Sequence, residues 1–135
     1  MGLLIDSSVL IAIERRREVL DTLIDAVAGE ELGLAAITAS ELLVGVHRAV
    51  TQEQRRRRTA IVESALERIE ILPLDLQIAR THARLFVQLS RTGQMIGAND
   101  LLIAATALTY GYDVMTHDVR DFEKVPGLDV RRPDW

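Results

Sequence analysis

Five short apolar runs alternate with longer stretches of helical periodicity, and this alternation constrains the fold more than any other feature of the chain. "LLID" (residues 3–6), "LGLAAI", "EILPL", "YDVMTHD" and "GLDVRRP" read as strands or extended links. Between them, "SVLIAIERRREVLDTLIDAVA" reads as helix in one or two pieces. A helix starting at Thr38 runs through "ASELLVGVHRAV", and Thr51 caps another through "IVESALERIEI". Asp75 caps "LQIARTHARLFVQLSRTG", with Gly93 as its stop. Asn99 opens "DLLIAATALTYG", which is apolar almost all round and so belongs under cover. Strands separated by helices cannot pair as hairpins. They imply a mostly parallel sheet covered on both faces, an α/β fold. With 135 residues, nearly half of them apolar, the chain has enough for one core and too little for two, so a single domain over residues 1–135 is expected.

The same composition removes several function classes. There is no Cys, hence no disulfide framework, thiolate zinc site or cysteine nucleophile. No apolar run approaches the roughly 18 residues of a membrane span, and no basic region precedes the first apolar segment. The expectation is a cytoplasmic protein without a membrane partner. A net charge of −4 argues against holding nucleic acid by bulk charge. The cations are fifteen Arg and one Lys, concentrated at Arg15, Arg16 and Arg17 and at Arg55 to Arg58. The second cluster, with Glu neighbours at helical spacing, reads first as a solvated helix face.

Four acids fit a surface poorly. In an open parallel sheet, ligands gather beyond the carboxyl ends of the strands. Asp6 ends the first strand, Glu41 lies in the first turn of the helix after the second, Asp100 begins the apolar helix and Asp118 follows the strand "DVMT". Each has a local explanation. "TASE" is a capping box in which Glu41 reaches back to Thr38, Asp100 suits a positive helix end beside the cap Asn99, and Asp6 and Asp118 can cap the turns that follow them. Together they are harder to explain locally. Carboxylates about 5 Å apart repel by roughly 3 kcal/mol per pair at an effective dielectric near 20, and several such pairs rival the net stability of about 5 to 15 kcal/mol of a small domain. Such a cluster must take up protons or hold a cation. Oxygen ligands without Cys or His favour Mg²⁺ or Mn²⁺ over zinc, and hard cations in an acidic pocket serve phosphoryl chemistry, polarising a phosphate and activating a water.

The stretches "LLIDSSVLIAIE", "ITASELLVGV", "IGANDLLIAATAL" and "VMTHDVRDFEKVPGLDV", in this order and spacing, resemble PIN-domain ribonucleases of the VapC toxin type. The resemblance spans nearly the whole chain. It implies a three-layer α/β/α fold and an Mg²⁺- or Mn²⁺-dependent endoribonuclease that cuts tRNA or rRNA. It also implies restraint by a VapB-type antitoxin lying over the acidic groove, and a homodimer. Carried over by position, Asp6 and Asp100 are the firmest metal ligands and Glu41 shares their pocket. The fourth acid is Asp118, with Asp121 nearby. Ser7 matches the small hydroxyl residue after the first acid, and Asn99 and Thr116 are candidates for orienting the ligands. Arg15, Arg16 and Arg17 are candidates for RNA or antitoxin contact because they follow the helix that Asp6 introduces. His117 adjoins a proposed ligand, whereas Trp135, Tyr110 and Tyr112 read as packing residues. Two competing readings are a non-catalytic RNA- or protein-binding module, whose acids are only caps, and a phosphoacceptor receiver domain. The receiver needs a Lys at the end of a late strand, and the single Lys, Lys124, lies past "DF" in a loop.

Overall fold

The computed structural model describes residues 2–135. Strand β1 (Gly2–Ile5) is buried along its whole length, as a central strand covered on both faces must be. Its side chains divide with the two-residue period of an extended chain: Leu3 and Ile5 enter one core, and Leu4 enters the other. Helices α1 (Ser7–Arg15) and α2 (Leu20–Ala26) lead to β2 (Glu31–Ala35). Helices α3 (Ala36–His47) and α4 (Gln52–Arg68) lead to β3 (Glu70–Leu72). The hairpin of α5 (Leu76–Arg91) and α6 (Ala98–Tyr110) then crosses the sheet to β4 (Asp113–Met115). A single-turn α7 (Val119–Phe122) precedes the last strand, β5 (Val130–Arg131).

All four strand pairings are parallel, and the order is β3-β2-β1-β4-β5. One core lies under α1, α2 and α4 and holds Val9, Leu10, Leu23, Ile61 and Val62. The other lies under α5 and α6 and holds Ile78, Leu85, Leu101, Ile103 and Phe122. The expected three-layer α/β/α architecture with a parallel sheet is therefore present. No helix among the described residues is long and apolar enough to cross a membrane.

Two glycines are fixed by this packing. A Cβ on Gly2 would stand 2.0 Å from the ring of Tyr112, which lies across the start of β1. Gly111 adopts φ 71° and ends α6, where an L side chain would be strained.

Two helix starts differ from the sequence reading. Helix α3 begins at Ala36 with Ala35 in the cap position, so Thr38 is already inside the helix and fully buried. The "TASE" capping box does not form, because strand β2 runs straight into a helix whose first turn is Ala and Ile docked on the core. Helix α6 is capped at Gly97, not Asn99. Thr51 and Asp75 do cap as expected, accepting from the backbone N–H groups of Gln54 and Ile78.

Candidate active site

The chain leaves β1 toward β2 on one side, and the α5–α6 crossover returns it to β4 on the other. The topological switch, where a crevice opens in such a sheet, therefore lies between the carboxyl ends of β1 and β4. Asp6 follows β1 and Thr116 follows β4 at this point.

Asp6 is 5% exposed. It occupies the cap position of α1, but its carboxylate makes no capping bond. Its Oδ2 accepts from the hydroxyls of Ser8 at 2.8 Å and Thr116 at 2.8 Å. Those hydroxyls also accept the backbone N–H groups of His117 at 3.0 Å and Asp118 at 2.9 Å, respectively, so the carboxylate is held from the first turn of α1 and from the residue after β4.

Glu41 projects from the second turn of α3 toward α6. Its Oε2 accepts from Asn99 Nδ2 at 3.3 Å, while its Oε1 is buried with no partner. Burial pushes the Glu41 carboxyl up, a hydrogen bond from Asn99 partly opposes this, and the charge of Asp6 adds to the rise.

Asp100, in the first turn of α6, is raised to about 7, first by burial, then by a hydrogen bond with Asp121 and by the charges of Asp6, Asp121 and Glu41. Two carboxyls can share a hydrogen bond only if one keeps a proton. Asp121 also accepts from the Gly97 N–H at 3.2 Å. A Cβ on Gly97 would stand 3.8 Å from the Asp121 carboxylate and 3.9 Å from that of Asp100.

The four acids that come together are thus Asp6, Glu41, Asp100 and Asp121. Asp118 is exposed at the head of α7, makes no cap bond and exerts no charge effect on Asp100. The three-residue step from 118 to 121 turns the second acid inward. Ser7 lies close enough to Glu41 to oppose the rise of its carboxyl, and the hydroxyl that fixes Asp6 belongs to Ser8, which the sequence does not single out. The signal was present in "DSS", since the second residue after a cap folds back over it. Arg16 pairs with Glu18 at 3.1 Å and lies over Trp135, Arg15 borders the groove beside Glu41, and Arg17 is exposed with φ 56°. His117 packs edge-on against Trp135, with its Nε2 buried and unpartnered. Tyr110 and Tyr112 pack on each other.

Among the described residues, no group of three or more His, Asp or Glu side chains is arranged to hold an ion as it stands. As they stand, Asp6 is held by the Ser8 and Thr116 hydroxyls, Glu41 by Asn99, and the Asp100 carboxyl is raised to about 7. Their chemistry still suits a hard cation. The donors are all oxygen, one buried carboxylate oxygen has no partner, and no Lys or Arg among the described residues pairs with any of the four. A divalent ion would satisfy Glu41 Oε1 and offset the repulsion.

Comparison with known proteins identifies the family. The family model of the PIN domain matches residues 3–128. Ribonuclease VapC1 of Rickettsia felis is 37% identical over 130 residues, covering 96% of this chain and 95% of the relative. The tRNA(fMet)-specific endonuclease VapC of Salmonella typhimurium is 34% identical over 102 residues, covering 76% of this chain and 74% of the relative. Among solved structures, the DNA-bound VapBC of Salmonella typhimurium superposes with a TM-score of 0.84 at 26% identity, over 98% of each chain.

Proposed function

The chain belongs to the PIN domain family, in its VapC ribonuclease branch, and from that premise we propose that it is the toxin of a type II toxin-antitoxin pair. It hydrolyses RNA phosphodiester bonds with Mg²⁺ or Mn²⁺ held by Asp6, Glu41, Asp100 and Asp121. The observation that carries the reading is the meeting, at the sheet's switch point, of four acids that no Arg or Lys among the described residues neutralises. In this assignment Asp121 takes the place first given to Asp118.

The ion supplies Lewis acidity to the scissile phosphate and lowers the pKa of a water. The chain's residues prepare that chemistry. Ser8 and Thr116 fix Asp6 in one orientation, and Asn99 holds Glu41 while leaving its second oxygen free. Asp121 stands beside Asp100 and helps to raise its carboxyl, so that the pair would share a bound cation. Fixing carboxylates in advance avoids reorganisation during the reaction.

An apolar groove between α1, α3 and α4 is lined by Leu10, Ile11, Leu42, Ile61 and Val62 and runs up to Glu41, with Arg15 and Arg58 at its margin. This groove suits an amphipathic segment of a VapB-type antitoxin. A second apolar hollow, formed by Ile37, Leu72, Leu74 and Leu102, suits a homodimer contact. The substrate is a structured RNA, tRNA or rRNA.

The test is incubation of the purified chain, freed of antitoxin, with bulk tRNA and rRNA. Discrete cuts are expected with Mg²⁺ or Mn²⁺ and none with a chelator. Cleavage that persists unchanged in the chelator would rule out the metal-dependent assignment.

A further inference from the structure

The proposed reaction leaves an electrostatic problem. An acidic pocket in a protein of charge −4 must receive a polyanion. Some of the arginines are already engaged. Arg57 pairs with Glu14 and Glu53, Arg58 donates to the Gly45 carbonyl, Arg68 pairs with Asp21, and Arg131 pairs with Glu30 and Asp113.

Helix α5 is different. Alone among the seven helices it contains no Asp or Glu, yet it carries Arg80, Arg84 and Arg91. The spacings of four and seven residues put all three on one stripe. Each is exposed, and none is in an ion pair among the described residues. No acid stands three or four residues from any of them. Arg80 and Arg84 face each other as a like-charge pair one turn apart, which weakens a helix. Helix stability therefore does not account for the stripe.

The stripe also has a direction. Thr109 of α6 donates to Thr81 of α5 at 2.9 Å, so the two helices are antiparallel, and the end of α5 that carries Arg91 lies with the start of α6 that carries Asp100. A shallow open depression between the cations is lined by Arg84, Val87, Gln88, Arg91 and Thr92. From Arg80 to Arg91 the helix rises about 16 Å, a length over which one nucleic-acid strand carries roughly five phosphates.

We propose that the Arg80–Arg84–Arg91 stripe of α5 is a track for the phosphodiester backbone of the RNA substrate, leading it to the acid pocket at the start of α6. This deepens the ribonuclease reading and rests on it. The guanidinium groups hold phosphate oxygens bidentately and carry no sequence information. The stripe supplies the attraction that the pocket cannot.

The experiment compares R84Q/R91Q with R55Q/R56Q. Both remove two exposed charges, the second pair from α4. Binding of labelled bulk tRNA is measured across a salt series, with Ca²⁺ in place of Mg²⁺ so that the RNA survives. The expected result for R84Q/R91Q is about tenfold weaker binding, with a log–log salt slope shallower by about 1.5. Far-UV spectrum, melting temperature and oligomeric state should be unchanged, and R55Q/R56Q should stay near the parent. Equal losses in the two variants, or no loss in either, would overturn the track. So would failure of the parent to bind tRNA, or a loss confined to binding of an antitoxin peptide. Binding is read without cleavage, so a parent that binds tRNA through α5 but never cuts it would refute the nuclease reading and leave the track standing.

Discussion

The two ends of the sheet treat their acids in opposite ways. At the edge where β5 joins β4, Arg131 grips Glu30 through two bonds of 2.7 Å and Asp113 through one of 2.8 Å. The Arg131 hydrogen bonds hold the Glu30 carboxyl below its ordinary value. At the carboxyl ends of β1 and β4 no guanidinium is provided, and Glu41 and Asp100 are pushed upward. The fold can thus supply a cation to acids that tie its last strand down, and it withholds one where four acids meet. Local stability explains the first arrangement and works against the second, and a site that costs stability is where function is expected.

This contrast can be tested, and the largest effect is expected at the pocket. D6N or D100N should lower RNA cleavage by more than about a hundredfold, beyond the roughly 10- to 100-fold typical of residues that only orient a ligand. The melting temperature should stay within a few degrees of the parent, because Asn keeps the shape of Asp. Cleavage assays beside thermal melts check both points, and a fully active D6N would remove the pocket from the mechanism.

D121N should cost activity on the same scale as D100N, whereas D118N should leave it within about threefold of the parent. The reverse order would return the fourth position to Asp118.

A smaller effect concerns pH. Asp100 keeps its proton in the folded chain up to about 7, against an ordinary 3.8. Between these values the folded state binds more protons than the unfolded one, so stability of the metal-free protein falls as pH rises through this window and levels off above it. Glu30 has the opposite sign, since its lowered value contributes stability above the ordinary 4.5 that is lost as the solution is acidified. Melts of the metal-free protein from pH 5 to pH 8 should therefore show a falling trend that D100N flattens, and Mg²⁺ should raise the melting temperature more at pH 8 than at pH 6. The smallest change is expected for R131Q, which should lower the melting temperature by roughly 3 °C, because the pair is partly exposed, and leave cleavage unchanged.

The sequence was most informative where physics acts locally. The apolar run "LLI", the caps at Thr51 and Asp75, and the stop at Gly93 follow from chemistry within a few residues. Asp6 stood out because a carboxylate in an apolar run has few places to go. Glu41, Asn99 and Asp121 were harder. Thr38 looks like a cap until the docking of Ile37 and the burial of Thr38 extend α3 back to Ala36, so tertiary contacts overrode a local preference. The choice between Asp118 and Asp121 depended on the orientation of a single helical turn against Gly97, which spacing alone does not fix. The unpaired arginines of α5 were visible as letters. That none of the three finds an acid on a neighbouring element is seen only once the helices are packed.

The hydrogen bond from Thr116 to Asp6 joins residues 110 positions apart, and it sets the order in which the pocket can come into being. A growing polypeptide that already carries Asp6 lacks Thr116 and Asp121 until more than a hundred further residues have been added, and only then can β4 slide in beside β1. A truncated or half-made copy has no assembled pocket. Such a fragment has neither the hydroxyl that fixes Asp6 nor the acid beside Asp100, so the site is a property of the closed sheet and of no shorter segment.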